Sequence, residues 1–231
     1  MRGMVERFSV EDSEWVKSTE ATTNHDVKAV EYFVKDRMEG MGLGAWKEFV
    51  HFGLTSQDVN NTAIPLSLKR ATEHVLLPTM EELIETLAGR AKAWKDVPML
   101  ARTHGQPASP VTLGKEIQVY VERLEGQLHA LKNAVYAAKF GGATGQFNAH
   151  RVAYPEVDWP AFGTSFVEGK LGLTRTPLTT QIEPYDHLAA WCDALRRFHT
   201  VLIDFNRDVW TYISMDYFKQ KIKEGEVGSS A

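Results

Sequence analysis

Polar residues that can take part in proton transfer or anion binding collect in four short segments. These are residues 22–26 (Thr-Thr-Asn-His-Asp), 55–58 (Thr-Ser-Gln-Asp), 102–107 (Arg-Thr-His-Gly-Gln-Pro) and 225–231 (Gly-Glu-Val-Gly-Ser-Ser-Ala). Hydroxyls at a helix start, such as those of Thr55 and Ser56, can hold a carboxylate or phosphate. His25 and His104 can exchange protons near neutral pH. A Gly-Ser-Ser turn offers donors for a developing oxyanion. In combination, the segments favour acid–base chemistry.

Each segment taken alone also has a purely structural interpretation. Asn24, Asp26 or the Thr55–Ser56 pair can cap helices, because short polar side chains accept hydrogen bonds from the first backbone N–H groups. His104 precedes a glycine and can form a tight turn in which the imidazole bonds a carbonyl. The patterns do not decide between these interpretations and a functional one.

Other chemistries lack their sequence patterns. The eight histidines form no His-x-x-x-His pair and the chain has one cysteine, Cys192, so a dedicated zinc site and an intrachain disulfide are disfavoured. No phosphate-binding loop, dinucleotide fingerprint or Gly-x-Ser-x-Gly elbow occurs. We therefore predict no cofactor and no metal.

The elements that must position these segments are predicted to be helices. Two seams of apolar residues alternate in steps of three and four, which is the pattern of long amphipathic helices. One runs over Leu188, Trp191, Leu195, Phe198, Leu202, Phe205, Val209 and Tyr212. The other runs over Ile117, Val121, Leu124, Leu128, Leu131, Val135 and Ala138, on a helix that Pro110 can open.

Further helices are indicated around these two. One starts after Thr55 and Ser56, with Ile64, Leu68, Ala71 and Val75 on one apolar stripe; Pro78 then kinks or restarts it, and Leu83, Leu87, Ala91 and Trp94 continue it. Shorter helices fit residues 27–38, capped from Thr23 and Asn24, and residues 155–169. Strand-like alternation is nearly absent, so the predicted class is all-α. Long apolar seams on a short chain predict a homo-oligomeric helical bundle.

Composition excludes several classes of partner. The 231 residues carry 26 Lys and Arg against 30 Asp and Glu, a net charge of −4, which disfavours binding to nucleic acid or to anionic membrane through a basic surface. No apolar run is long enough to span a membrane, and residues 1–7 lack the apolar core of a signal peptide. We expect a cytoplasmic protein.

The chain resembles the fumarase/aspartase superfamily, and within it the adenylosuccinate lyase family. Four stretches carry the resemblance: residues 23–32 (from Thr-Asn-His-Asp-Val), 54–61 (Leu-Thr-Ser-Gln-Asp-Val-Asn-Asn), 102–108 (Arg-Thr-His-Gly-Gln-Pro-Ala) and 179–184 (Thr-Thr-Gln-Ile-Glu-Pro). The resemblance implies a long-helix bundle, a homotetramer, and β-elimination of fumarate from two small-molecule substrates, adenylosuccinate and the succinylated aminoimidazole carboxamide ribotide of purine synthesis.

The resemblance also implies roles for individual residues. His104 corresponds to the family's general acid and Ser229 to its general base. Substrate contacts are implied for Asn24, His25, Asp26, Thr55, Ser56 and Gln181, and we add Thr103 and Ser230 beside the catalytic pair. His51, which leads into Thr55, is a weaker candidate.

The resemblance leaves gaps at both ends of the chain. Family members continue after Gly-Ser-Ser with Met-Pro-His-Lys, and their early Arg-Tyr contacts have no counterpart here. We therefore expect a fragment, with residues 1–54 as the remainder of an amino-terminal helical domain and residues 55–231 as the central long-helix bundle domain. Two alternatives stay open: another fumarate-releasing enzyme such as argininosuccinate lyase, and a non-catalytic helical oligomerisation fragment.

Overall fold

The computed structural model describes residues 2–221 and 223–226 of the chain. Nine α-helices lie within these residues: α1 (Arg2–Glu6), α2 (Val10–Thr23), α3 (Asp26–Gly40), α4 (Ser56–Ala71), α5 (Leu77–Ala93), α6 (Leu113–Lys132), α7 (Asn148–Ala153), α8 (Trp159–Thr164) and α9 (Asp186–Ser214). The strands are β1 (Pro98–Thr103), β2 (Gln106–Thr112), β3 (Ala137–Ala138) and β4 (Thr174–Arg175). A 3-10 helix covers Gly44–His51, and π-helical turns cover Thr72–Leu76 and Ser165–Lys170. The all-α prediction is confirmed, with one antiparallel hairpin (β1–β2) and one short parallel pair (β3–β4) added.

The chain divides into two compact units, each made of two stretches. The first unit comprises Met1–Ala71 and Val135–Leu188, and the second comprises Thr72–Ala134 and Ala189–Ala231. Both units therefore draw on the amino-terminal and the carboxyl-terminal half of the chain. The domain division predicted between residues 54 and 55 stays a prediction.

The first unit is built around an aromatic core beneath α8. Phe140, Phe147, Trp159 and Val167 are buried there together with Ala138 and Leu173. The helix predicted at residues 155–169 is present as α8 followed by the π-helical turn, and the helix predicted at 27–38 is present as α3. The helix α2 begins with a capping box, in which Ser9 and Asp12 satisfy each other's backbone N–H groups.

The stripe predicted on the third helix is wrong. Ile64 and Val75 are 43% and 59% exposed, whereas the buried residues of α4 and the π-helical turn after it are Asp58, Asn61, Pro65 and Thr72. The interruption predicted at Pro78 is the π-helical turn that precedes α5, with the proline inside the first turn of α5. The chain stays helical from residue 56 to residue 93 through this turn, so Pro78 interrupts the regular α-helix without ending it.

The second unit contains the two long predicted helices. On α6 the seam residues Ile117, Val121 and Leu124 are buried, and on α9 Trp191 and Phe198 are buried. The opening of α6 at Pro110 is wrong, because Pro110 lies in β2 and Thr112 caps the helix through its side chain. The predicted seam also extends beyond the helix, because its last two residues, Val135 and Ala138, follow the end of α6 at Lys132.

The close packing of α5 on α6 depends on Gly114. A Cβ atom at this position would lie 2.3 Å from the carbonyl oxygen of Ala91, so the backbones of the two helices meet where only glycine fits. No helix in the described part of the chain is both long enough and apolar enough to cross a membrane.

Candidate active site

The junction between α2 and α3 presents Asn24, His25 and Asp26. Asn24 ends α2 in the left-handed conformation (φ 51°), with its N–H donating to the carbonyl of Glu20 at 2.8 Å. His25 caps α3 through its ring, so the cap expected from Thr23 and Asn24 lies one residue further along. These residues, with Lys17 and Glu20, line an open groove of about 730 Å³.

The hydrogen bonds of His25 fix its tautomer. Its Nδ1 accepts from the backbone N–H of Lys28 at 3.3 Å, so the ring proton is on Nε2. Nε2 lies 3.2 Å from the Oγ atom of Ser56 and therefore donates to it. The imidazole thus joins the start of α3 to the start of α4.

The hydroxyl of Thr55 is held in a similar way by Gln181. The side-chain amide of Gln181 donates to Thr55 Oγ1 at 3.2 Å. Each of the two hydroxyl oxygens therefore accepts one bond, and each keeps its own proton for another acceptor. Two such protons at the start of a helix are suited to binding a carboxylate or phosphate.

Asp58, a buried residue in the first turn of α4, holds the start of that helix in place. Its carboxylate accepts from the N–H groups of Thr55 (2.8 Å), Gly141 (2.8 Å) and Gly142 (3.1 Å). Lys139 completes the set, with Nζ 2.8 Å from the same carboxylate, and both side chains are at most 1% exposed. No pattern in the sequence links Lys139 to Asp58, which lie 81 positions apart in the chain.

The stretch that carries Gln181 is held by a second buried group. Asn61 accepts from the N–H of Glu183 at 2.9 Å and donates to the hydroxyl of Tyr185 at 2.6 Å. The Glu183 carboxylate in turn accepts from the N–H of Tyr185 and from the Thr176 hydroxyl. The same stretch lines an open groove of about 690 Å³. Asn61 therefore keeps the Gln181 stretch beside α4.

Gly53, two residues before Thr55, packs against His150, a residue that the sequence analysis does not single out. Gly53 has φ +63°, and a Cβ atom there would lie 2.7 Å from the His150 ring. Burial lowers the pKa of His150, although the nearby Asp58 carboxylate opposes that shift. The ring is therefore an uncharged packing surface at neutral pH.

His51 is paired with Glu31 on α3. Nδ1 of His51 lies 2.5 Å from the Glu31 carboxylate, which also binds Lys28 at 2.7 Å and Lys35 at 2.9 Å. Burial alone would raise the pKa of Glu31, but these three partners outweigh it and lower the pKa to about 2. The other ring nitrogen of His51 is buried and has no hydrogen-bond partner among the described residues.

His104 stands at the tip of the β1–β2 hairpin in the second unit. His104 and Gly105 both have positive φ (51° and 76°) between the paired residues Thr103 and Gln106, as a two-residue type I′ turn requires. The predicted tight turn is confirmed. The side chain is exposed and, in the part of the chain that the structure describes, no hydrogen bond to a carbonyl is found for it. The ring is therefore presented to solvent.

The structure brings together only part of the predicted site. His25 contacts Ser56, Thr55 contacts Gln181, and Asn24 and Asp26 flank His25, all within the first unit. Thr103 and His104 belong to the second unit. Ser229 and Ser230 lie outside the described residues. No group of three or more metal-binding side chains is found in residues 2–221 and 223–226.

Comparison with known proteins decides the family. The family described as Lyase matches residues 1–231. The chain belongs to this lyase family. Its fold is similar to that of a solved structure, 3-carboxy-cis,cis-muconate lactonizing enzyme from Pseudomonas putida, with a TM-score of 0.69, 24% identity and 90% of this chain but 45% of the other chain covered.

Several curated relatives share much higher identity with this chain. Adenylosuccinate lyase from Dictyostelium discoideum is 52% identical over 100% of this chain and 50% of its own length. The Escherichia coli (strain K12) enzyme of the same name is 49% identical over 98% of this chain and 50% of its length. The Vibrio cholerae enzyme is 48% identical over 96% of this chain and 49% of its own length. The chain thus spans about half the length of the curated relatives it matches.

Proposed function

We propose that this chain contributes to an enzyme that cleaves adenylosuccinate to AMP and fumarate, and that acts in the same way on the succinylated aminoimidazole carboxamide ribotide. The observation that carries the proposal is 42–52% identity to adenylosuccinate lyases over nearly the whole chain. The paired hydroxyls of Thr55 and Ser56 support it, because the substrate is rich in carboxylate and phosphate groups.

The difficult step in such a β-elimination is removal of a proton from the carbon beside a carboxylate. That carboxylate becomes doubly negative in the transition state and must be held by fixed donors. Thr55 and Ser56, oriented by Gln181 and His25, supply two of these donors. Their partners occupy the acceptor side of each hydroxyl, so both protons can point at the substrate. We assign Asn24 and Asp26, which flank His25 in the chain, and Thr103 of the second unit as further substrate contacts.

The proton balance requires an acid and a base. The base takes the proton from carbon, the C–N bond breaks, and the acid returns a proton to the leaving nitrogen of AMP. We assign the acid to His104, whose ring is exposed at a hairpin tip. We assign the base to Ser229, with Ser230 as a substrate contact, by resemblance alone. We also propose that the enzyme is a cytoplasmic homotetramer; exposed apolar side chains such as Trp210 (76%) support an assembly.

The test compares two substrates. Residues 1–231 are combined with the carboxyl-terminal half of the Escherichia coli enzyme, and release of fumarate from adenylosuccinate and from argininosuccinate is measured, with His104→Gln as the inactive control. We expect turnover of adenylosuccinate alone, and little or none without the second half. Turnover of argininosuccinate alone would indicate the other lyase. Absence of both reactions, with assembly intact, would favour a non-catalytic module.

A further inference from the structure

The buried pair of Asp58 and Lys139 takes no part in the chemistry described above. A buried ion pair is costly to form, because both charges lose their water, and it persists only where hydrogen bonds complete the arrangement. Here the arrangement is complete: the carboxylate receives three backbone N–H groups, and Lys139 also donates to the carbonyl of Gly142 at 2.5 Å. Such a pair fixes the backbone segments that it joins.

The segments joined are those that carry the candidate substrate contacts. Asp58 binds the N–H of Thr55 directly, at the point where the hydroxyl pair begins. It also binds residues 141 and 142 of a glycine-rich loop whose Gly145 lies against the backbone of Thr179 and Thr180. Those two threonines precede Gln181, the partner of the Thr55 hydroxyl. One ion pair therefore connects both sides of the Thr55–Gln181 contact.

Without a positive partner, the negative charge of Asp58 would repel an anionic substrate. A carboxylate in the first turn of α4 neutralises the partial positive charge at the start of the helix, which would otherwise attract an anionic ligand. Because Lys139 sits 2.8 Å from it, the pair is neutral as a unit, and the positive end is left for a ligand. Without Lys139, an uncompensated negative charge would remain at the base of the hydroxyl pair.

We propose that Asp58 and Lys139 are positioning residues for substrate binding: they place the Thr55 and Ser56 hydroxyls, and Lys139 cancels the charge that would repel the substrate carboxylates. The inference rests on the proposed function for its substrate. The positioning of the Thr55 hydroxyl does not depend on the proposed function, because it can be measured without turnover.

The experiment uses Lys139→Met in the intact protein. We expect the KM for adenylosuccinate to rise about tenfold or more, because an uncompensated negative charge in a partly buried site strongly repels a bound carboxylate. Adding Asp58→Asn to the same chain removes that charge but also one oxygen that accepts from backbone N–H groups, so the KM should return only part of the way to the parent value. Val167→Ala is the matched control, since it opens the buried core of the same unit without touching the pair.

A spectroscopic measurement separates this inference from the proposed function. The side-chain amide resonance of Gln181 in isotopically labelled protein should shift in Lys139→Met and stay unchanged in Val167→Ala. If Lys139→Met does not fold, Lys139→Gln takes its place, because glutamine keeps a hydrogen-bond donor and removes the charge. Its KM and Gln181 resonance are then compared with those of the parent and of Val167→Ala. An unchanged resonance together with a KM within twofold of the parent would overturn the inference. If the parent does not cleave adenylosuccinate, the proposed function fails and the Gln181 resonance alone decides the positioning.

Discussion

Replacement of Glu31 by glutamine is expected to destabilise the first unit in a pH-dependent way. The Glu31 side chain is only 5% exposed and binds Lys28, Lys35 and His51. Its pKa falls from 4.5 to about 2 on folding. At about 1.36 kcal/mol per pH unit, this corresponds to roughly 3 kcal/mol of stability from the ionised carboxylate at neutral pH.

The direction of the pH dependence follows from the lowered pKa. The contribution is complete above pH 4.5, where the unfolded carboxylate is also ionised, and it is lost as the pH falls from 4.5 towards 2. Urea denaturation of the parent and of Glu31→Gln should therefore differ by roughly 3 kcal/mol at pH 6. The difference should shrink to roughly 1 kcal/mol at pH 3.

A matched control is available on the same lysine. Glu48 also binds Lys35, at 2.8 Å, but its side chain is 74% exposed, so Glu48→Gln should leave the unfolding free energy almost unchanged at every pH. A difference between the parent and Glu31→Gln that stays constant from pH 6 to pH 3 would refute the reasoning. So would equal effects of the two substitutions.

Four further outcomes are expected. His104→Gln should lower turnover of adenylosuccinate at least about a hundredfold, as expected for a general acid, with little change in KM or melting temperature; turnover within about threefold of the parent would contradict the assignment. His104→Gly should raise the free energy of unfolding by up to about 1 kcal/mol, because it relieves a left-handed backbone, while activity is lost. Gly53→Ala should cost about 2 kcal/mol or more in urea denaturation, through strain at positive φ and contact with His150. Sedimentation should show an oligomer, and a stable folded monomer at micromolar concentration would count against the tetramer.

The long helices could be predicted because part of each seam is buried as the periodicity requires, such as Val121 and Leu124 on α6 and Trp191 and Phe198 on α9. The hairpin could not, because alternation along a strand appears only when one face is buried, and both strands of this two-stranded ribbon are largely exposed. Prolines at 98, 107 and 110 hid the strands further. Pro110 therefore suggested a helix start in the middle of a strand.

The third helix shows a different failure of the same reasoning. Apolar periodicity assumes that the buried face of a helix is apolar, and α4 instead buries Asp58 and Asn61 in complete hydrogen-bond networks. The polar segments that carry His25, Ser56, Thr55 and Gln181 could be recognised in the sequence, and the structure adds the contacts His25–Ser56 and Thr55–Gln181. Their role as substrate contacts stays a prediction. The Asp58–Lys139 pair was missed, because no local pattern records a contact between residues so far apart in the chain.

The length of strands β1 and β2 sets how far His104 lies from the base of the hairpin. The turn residues set only the local direction of the imidazole, whereas each residue pair in the ribbon adds about 3.3 Å of reach. Removing one pair would also turn the ring to the opposite face, so the reach changes without a change of face only in steps of two pairs, about 6.6 Å. Thr55 and Ser56, on the rigid start of α4, have no such freedom. A ribbon longer or shorter by two pairs would therefore move the His104 imidazole along the hairpin by that distance without changing the face on which it lies.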